Sequence, residues 1–162
     1  MKILNSPNQN SRKGKKIDMI VIHATAGQTL DSAIDWMMKP EAQVSAHYVV
    51  GKDGSVVQLV PEENKAWHAG KSSWRGQMDL NENSIGIELV NKNDDKDDYT
   101  DAQILALAKL VSGVLQANPK ITLDRIVGHS QIAPGRKSDP GLLFPWVKFG
   151  AYLQKVSSTV TA

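Results

Sequence analysis

The sequence predicts a single α/β domain, and three observations predict it. Met19-Ile20-Val21-Ile22 is short, apolar and mostly β-branched, the pattern of a strand buried on both faces. Ser84 to Val90, SIGIELV, is a second strand, and residues 44–60 form a hairpin. Two amphipathic helix patterns, each opened by a threonine, complete the alternation. At 162 residues and 17.7 kDa the chain is long enough to bury one core without staples. No internal repeat or second-domain linker is visible.

Residues 1–16, rich in Asn, Ser, Lys and Gly, read as an irregular arm, and the basic residues Arg12, Lys13, Lys15 and Lys16 as its solvated part. The strand at 19–22 ends on His23, followed by the small residues Ala24 to Gly27. A polar side chain there suits a site, but a histidine hydrogen-bonded at the edge of the core fits equally well. Thr29 caps a helix reaching Met38, with Leu30, Ala33, Ile34, Met37 and Met38 on one face; Pro40 stops it. Trp36 is expected in the core.

Val44 to Val50 and Ser55 to Val60 flank the turn Gly51-Lys52-Asp53-Gly54. Val44, Ala46, Tyr48 and Val50 are expected on one face, which puts His47 on the other in a packing or hydrogen-bonding role. Trp67 and His68 fall in a loop, AWHAG, expected to be exposed and suited to a flat or sugar-like ligand, unless the Trp anchors the loop to the core. On the strand SIGIELV, Ile85, Ile87 and Leu89 share one face and Gly86, Glu88 and Val90 the other. Glu88 is the anomaly, because a carboxylate inside an apolar strand is costly unless paired, metal-bound or used in proton transfer.

Asn93 to Asp98 reads as a solvated acidic loop without the ligand spacing of a calcium site. Thr100 and Gln103 predict a capping box, with Tyr99 and Ile104 as its hydrophobic staple, on a helix ending at Ala117 before Asn118-Pro119. Arg125 to Gly128 is a last short strand delivering His129. A C-terminal helix from about Pro145 should bury Trp146, Phe149 and Leu153, and residues 156–162 should fray.

The loop from Val127 to Gly141, VGHSQIAPGRKSDPG, carries His129, Arg136, Lys137 and Asp139 on backbone that its prolines and glycines bar from continuous helix. A divalent metal could hold it, given one more histidine; a hydrogen-bonded brace could do the same. The chain has no cysteine, so any metal rests on His, Asp or Glu. A net charge of +2 argues against a nucleic-acid partner. The N-terminus shows no apolar export signal and no run reaches membrane-spanning length, so the expectation is a chain cytoplasmic as synthesised and not inserted in a membrane.

Taken in order, the strand-end His23, the hairpin VSAHYVVGKDGSVVQLVPE, AWHAG, SIGIELV, YTDAQ and GHSQIAPGRKSDPG resemble the zinc-dependent N-acetylmuramoyl-L-alanine amidases of the type-2 amidase family. That family includes peptidoglycan-recycling amidases, bacteriophage lysozyme-type amidases and peptidoglycan recognition proteins. The resemblance spans about Asp18 to Trp146 and implies a central mixed β-sheet flanked by α-helices, with a catalytic domain over residues 17–155. It places Zn2+ on His23, His129 and Asp139, the catalytic carboxylate on Glu88 and the catalytic lysine on Lys137. His47, Trp67 and His68 are the expected substrate contacts. Asp139 stands where one phage branch and the recognition proteins use Cys, and Ala46 where that phage branch carries a catalytic Tyr, so the recycling-type pattern is the closer match. The implied activity is hydrolysis of the amide between N-acetylmuramic acid and L-alanine, in peptidoglycan or muropeptides, for cell-wall lysis as a phage or prophage endolysin or for wall recycling, by a monomer able to act on the wall after release. A non-catalytic peptidoglycan-binding module, a regulator docking on another protein, and a zinc peptidase cutting the stem peptide are the alternatives.

Overall fold

The computed structural model describes residues 1–160. Its centre is a six-stranded mixed sheet built from β1 (Lys2–Ile3), β3 (Met19–Ala24), β4 (Tyr48–Val50), β5 (Val56–Gln58), β9 (Ser84–Leu89) and β10 (Ile126–Gly128). Two small ladders stand outside it: β2 (Gln9–Ser11) pairs with β6 (Asn64–Ala66), and β7 (Ser73–Trp74) with β8 (Gln77–Met78). The order in the main sheet is β1-β5-β4-β9-β3-β10, with only the hairpin pair β4 and β5 antiparallel. Four helices follow the chain: α1 (Leu30–Met37), α2 (Asp101–Ala117), the single turn α3 (His129–Ile132) and α4 (Trp146–Val160).

Alternation along the central strands decides what each face does. Ile20, Ile22, Ile85, Ile87 and Leu89 turn one way and bury against Ile104, Leu107 and Val111 of α2 and Phe149 and Leu153 of α4. Met19, Val21 and His23 on β3, and Gly86 and Glu88 on β9, turn the other way. That second face is covered only in part, by α1 through Ile34 and Met37 and by Leu80 and Ile132. The uncovered end of it, where β3 and β9 finish, holds the functional side chains.

The helix starts follow the local chemistry. Thr29 Oγ1 accepts from Ser32 N at 3.2 Å, and Thr100 Oγ1 from Gln103 N at 3.1 Å. The expected capping box does not form. Gln103 is fully buried and its amide donates to the carbonyls of Val50 and Val90, at 3.1 and 3.0 Å, because strand ends needing donors lie closer than the cap. Trp36 is not core either. Ile34 and Met37 take the inward positions of α1, leaving Trp36 54% exposed. Ala46 packs on the α1 side while Tyr48 faces α2, since regular strand geometry begins only at Tyr48.

The N-terminal arm is ordered rather than irregular. Ser6 Oγ donates to Met37 O, and Asn8 Nδ2 to the carbonyls of Lys39 and Val44 at 2.8 and 2.9 Å. Arg12 is 4% exposed, and its guanidinium reaches the carbonyls of Glu62, Asn81, Glu82 and Ser84 and the His47 ring. The arm is therefore pinned by donors that close off loop carbonyls. At the other end α4 continues to Val160, with Val156 packed against the core, so residues 156–160 do not fray; residues 161–162 lie outside the described ones. No helix among the described residues is long and apolar enough to cross a membrane.

Candidate metal centre and active-site cleft

Three expected ligands converge where the parallel strands end. His23 closes β3, His129 opens α3 directly after β10, and Asp139 follows in the loop that α3 leads into. His23 Nδ1 lies 2.9 Å from His129 Nδ1 and 3.2 Å from Asp139 Oδ2, and His129 Nδ1 lies 3.1 Å from the same oxygen. All three residues are buried, and their ligand atoms fall within 4.8 Å of one another.

The loop carrying Asp139 is also braced by hydrogen bonds, so both readings of its residues apply. Ser130 N donates to Asp139 O, Gly128 N to Gln131 Oε1, and Tyr99 Oη to Pro140 O.

The donor set suits a divalent metal. His129 Nε2 lies 3.0 Å from Ala69 O, and a carbonyl only accepts, so this nitrogen carries the ring proton and Nδ1 offers a lone pair. Asp139 Oδ2 is a second acceptor turned to the same point. Such acceptors repel unless a cation sits among them, and two imidazoles with one carboxylate leave an open position on a tetrahedral ion.

Glu88 sits beside this cluster by strand register. It is the residue paired with His23 across β9 and β3, and with Val49 across β9 and β4. Its Oε2 is buried with no hydrogen-bond partner among the described residues. Burial first, and then the charge of Asp139, push its carboxyl up to about 8, against the opposing effect of Lys137. A carboxyl so placed holds and releases a proton near neutral pH. Lys137 lines the same cleft, close enough for its charge to lower His23 and Glu88 alike, and its side chain makes no hydrogen bond or ion pair among the described residues.

The expected substrate contacts divide. Trp67 does line the cleft, its Nε1 donating to Asn10 Oδ1 at 3.0 Å. His68 borders the cleft but is only 9% exposed, lying between His23 and Ser84 rather than in an open loop. His47 is fully buried: its Nδ1 accepts from Gly86 N and its Nε2 donates to Asn64 O, with the Arg12 guanidinium beside it, so it braces the sheet and cannot touch a ligand. Burial pushes its pKa down to about 3, with the Arg12 charge adding to the effect.

Sequence reasoning missed Trp36 and Asn93, which also line the cleft. Trp36 carried a signal, since it stands off the apolar stripe of its own helix; Asn93, in a loop read as solvated, carried none. Arg136 bonds the carbonyls of Ala69 and Lys71 at 2.6 and 2.7 Å and so ties AWHAG to the loop that holds Lys137.

Comparison with known proteins agrees with this geometry. A 1,6-anhydro-N-acetylmuramyl-L-alanine amidase, AmpD of Haemophilus influenzae, is 42% identical over 109 residues, covering 67% of this chain and 58% of the relative. A crystal structure of an AmpD derivative superposes with a TM-score of 0.84 at 34% identity, over 94% of this chain and 93% of that one. The Escherichia coli amidase AmiD, solved with anhydro-N-acetylmuramic acid-L-Ala-D-γ-Glu-L-Lys, superposes with a TM-score of 0.77 at 38% identity, over 88% of this chain and 58% of that one. The chain thus spans little more than half the length of the Haemophilus relative. Residues 13–142, which contain every expected ligand and both cleft carboxyls, match the family as a whole, and the chain belongs to the N-acetylmuramoyl-L-alanine amidase family.

Proposed function

We propose that this chain hydrolyses the amide joining the lactyl group of N-acetylmuramic acid to L-alanine, with one zinc held by His23, His129 and Asp139. The observation that carries the reading is the convergence of three ligand atoms next to a buried, unpartnered Glu88 oxygen. When bound, zinc supplies Lewis-acid polarisation of the amide carbonyl and an acidified water. Glu88 takes the proton of the attacking water and passes it to the leaving amine of L-alanine, a task matched by its raised pKa. The Lys137 ammonium stands in the cleft to stabilise the oxyanion of the tetrahedral intermediate. Trp67 and Trp36 offer aromatic faces to the sugar or peptide on either side of the bond. The ligand of the AmiD complex, an anhydromuramyl tripeptide, supports this substrate class. A binding module without catalysis would have no use for an uncompensated carboxyl in the strand.

The test is digestion of soluble anhydromuropeptides and of intact sacculi by the zinc-loaded protein, with mass spectrometry of the products. New free L-alanine amino termini without new reducing sugar ends are expected. Reducing ends alone, or cleavage within the stem peptide, would overturn the proposal.

A further inference from the structure

Behind His23 a chain of hydrogen bonds runs away from the cleft into backbone. His23 Nε2 lies 2.9 Å from His68 Nδ1, His68 Nε2 lies 3.1 Å from Ser84 Oγ, and Ser84 Oγ bonds the carbonyl oxygen of Leu80. The last contact sets the direction of all the others. A carbonyl oxygen has no proton to give, so the single hydroxyl proton of Ser84 points at Leu80 and its oxygen is left to accept. His68 Nε2 must then be the N–H. No carboxylate contacts His68 among the described residues, and a protonated ring enclosed here would be uncompensated, so the ring is neutral and its Nδ1 is a lone pair. His23 Nε2 is therefore a donor as well, and in the neutral ring, the form that ligates a metal, Nδ1 turns a lone pair towards His129 and Asp139.

Gly86 makes room for this arrangement. A Cβ at that position would come within 2.3 Å of His68 Cγ and 2.6 Å of Nδ1. The glycine of SIGIELV is thus the space into which the His68 ring packs, two residues before Glu88 on the same face of β9.

We propose that His68 and Ser84 are positioning residues, holding His23 as the Nε2–H tautomer so that Nδ1 is ready for the metal before the metal arrives. This rests on the reading of His23 as a ligand. His129 reaches the same state in one step through Ala69 O, whereas His23, on a strand whose neighbours are already paired, needs two side chains to reach a free carbonyl. Both lines end on neutral carbonyls rather than carboxylates. They orient the imidazoles without adding negative charge to the site.

The experiment uses the full chain and two readouts. Zinc affinity is measured by competition with a chromophoric chelator for the wild type, His68→Leu, His68→Asn and Ser84→Ala. The tautomers of the metal-free wild type are read from imidazole 15N–1H correlations. His68→Leu is expected to lose roughly 10- to 100-fold in zinc affinity, with Ser84→Ala losing less. His68→Asn should recover most of the loss, because its Oδ1 can accept from His23 Nε2 as Nδ1 does. The wild-type spectra should show protons on Nε2 of both His23 and His68. The Nδ1–H tautomer of either ring, with no proton on Nε2, would overturn the proposal even if every variant misfolded. So would equal affinities in His68→Leu, His68→Asn and the wild type, or equal losses in the two variants. Failure of the wild type itself to bind zinc would instead overturn the metal assignment.

Discussion

Glu88→Gln should make the metal-free protein more stable and the enzyme nearly inactive, with the first effect dependent on pH. The Glu88 carboxyl is held at about 8 in the fold against an ordinary value of 4.5. Between those values the unfolded chain ionises while the folded one keeps its proton, so stability is lost as pH rises towards 8. Below 4.5 both states are protonated and the penalty vanishes. At pH 7 the whole shift would amount to about 3 kcal/mol, and water reaching this partly exposed residue, whose Oε2 alone is fully enclosed, reduces this to about 1–2 kcal/mol. Glutamine keeps the shape and cannot ionise. Urea unfolding of chelator-treated wild type and Glu88→Gln should give matching stabilities near pH 4.5 and a gap of about 1–2 kcal/mol in favour of Gln at pH 7 to 8. Loaded with zinc, the variant should turn over roughly a hundredfold or more slowly with its metal retained. A gap that does not change with pH, or a variant less stable than wild type at pH 7, would refute the burial argument. Near wild-type turnover would move the proton transfer elsewhere.

Three further outcomes follow from the same geometry. Lys137→Ala should lower turnover by about 10²-fold, with KM and melting temperature little changed, because the side chain has no hydrogen-bond or ion-pair partner among the described residues to lose; this is read from steady-state kinetics and a thermal melt. His129→Ala should abolish zinc retention through dialysis, measured by metal analysis of the folded protein. Arg12→Met should destabilise by about 3 kcal/mol or more in denaturant unfolding, since it strips donors from the part-buried carbonyls of Glu62, Asn81 and Glu82 and the buried one of Ser84; a change under 1 kcal/mol would mean water replaces it.

What could be read from the sequence was whatever depends on near neighbours in the chain. β3, β9, α1 and α2 each carry their periodicity and caps within a few residues, and the structure repeats them closely. The arm escaped because its order comes from bonds to residues 29 to 72 positions further on, and a short polar segment looks the same with or without them. Gln103 was misassigned for a related reason: the residue spacing of a capping box cannot show that two strand carbonyls compete for the same amide. At the site, His23, Glu88, Lys137 and Asp139 were found by their place in ordered motifs, and the structure brings them to one cleft. His47 takes the packing role its strand face suggests, whereas the burial of His68 could not be foreseen, because it depends on a glycine in a different strand.

The way the arm is sewn into the sheet bears on where this protein can be cut. The segment that matches the family as a whole begins at residue 13 and stops at residue 142. A fragment trimmed to those limits would leave behind Ser6, Asn8 and Arg12, and with them the donors that close the end of α1 and the loops around Glu62 and Asn81. It would also remove α4, baring the flank of α2 on which Phe149 and Leu153 rest. The family match and autonomy therefore have different borders here. The smallest piece expected to refold reversibly starts upstream of Ser6 and runs past Val156, and shorter pieces should collect in the insoluble fraction with every ligand still encoded.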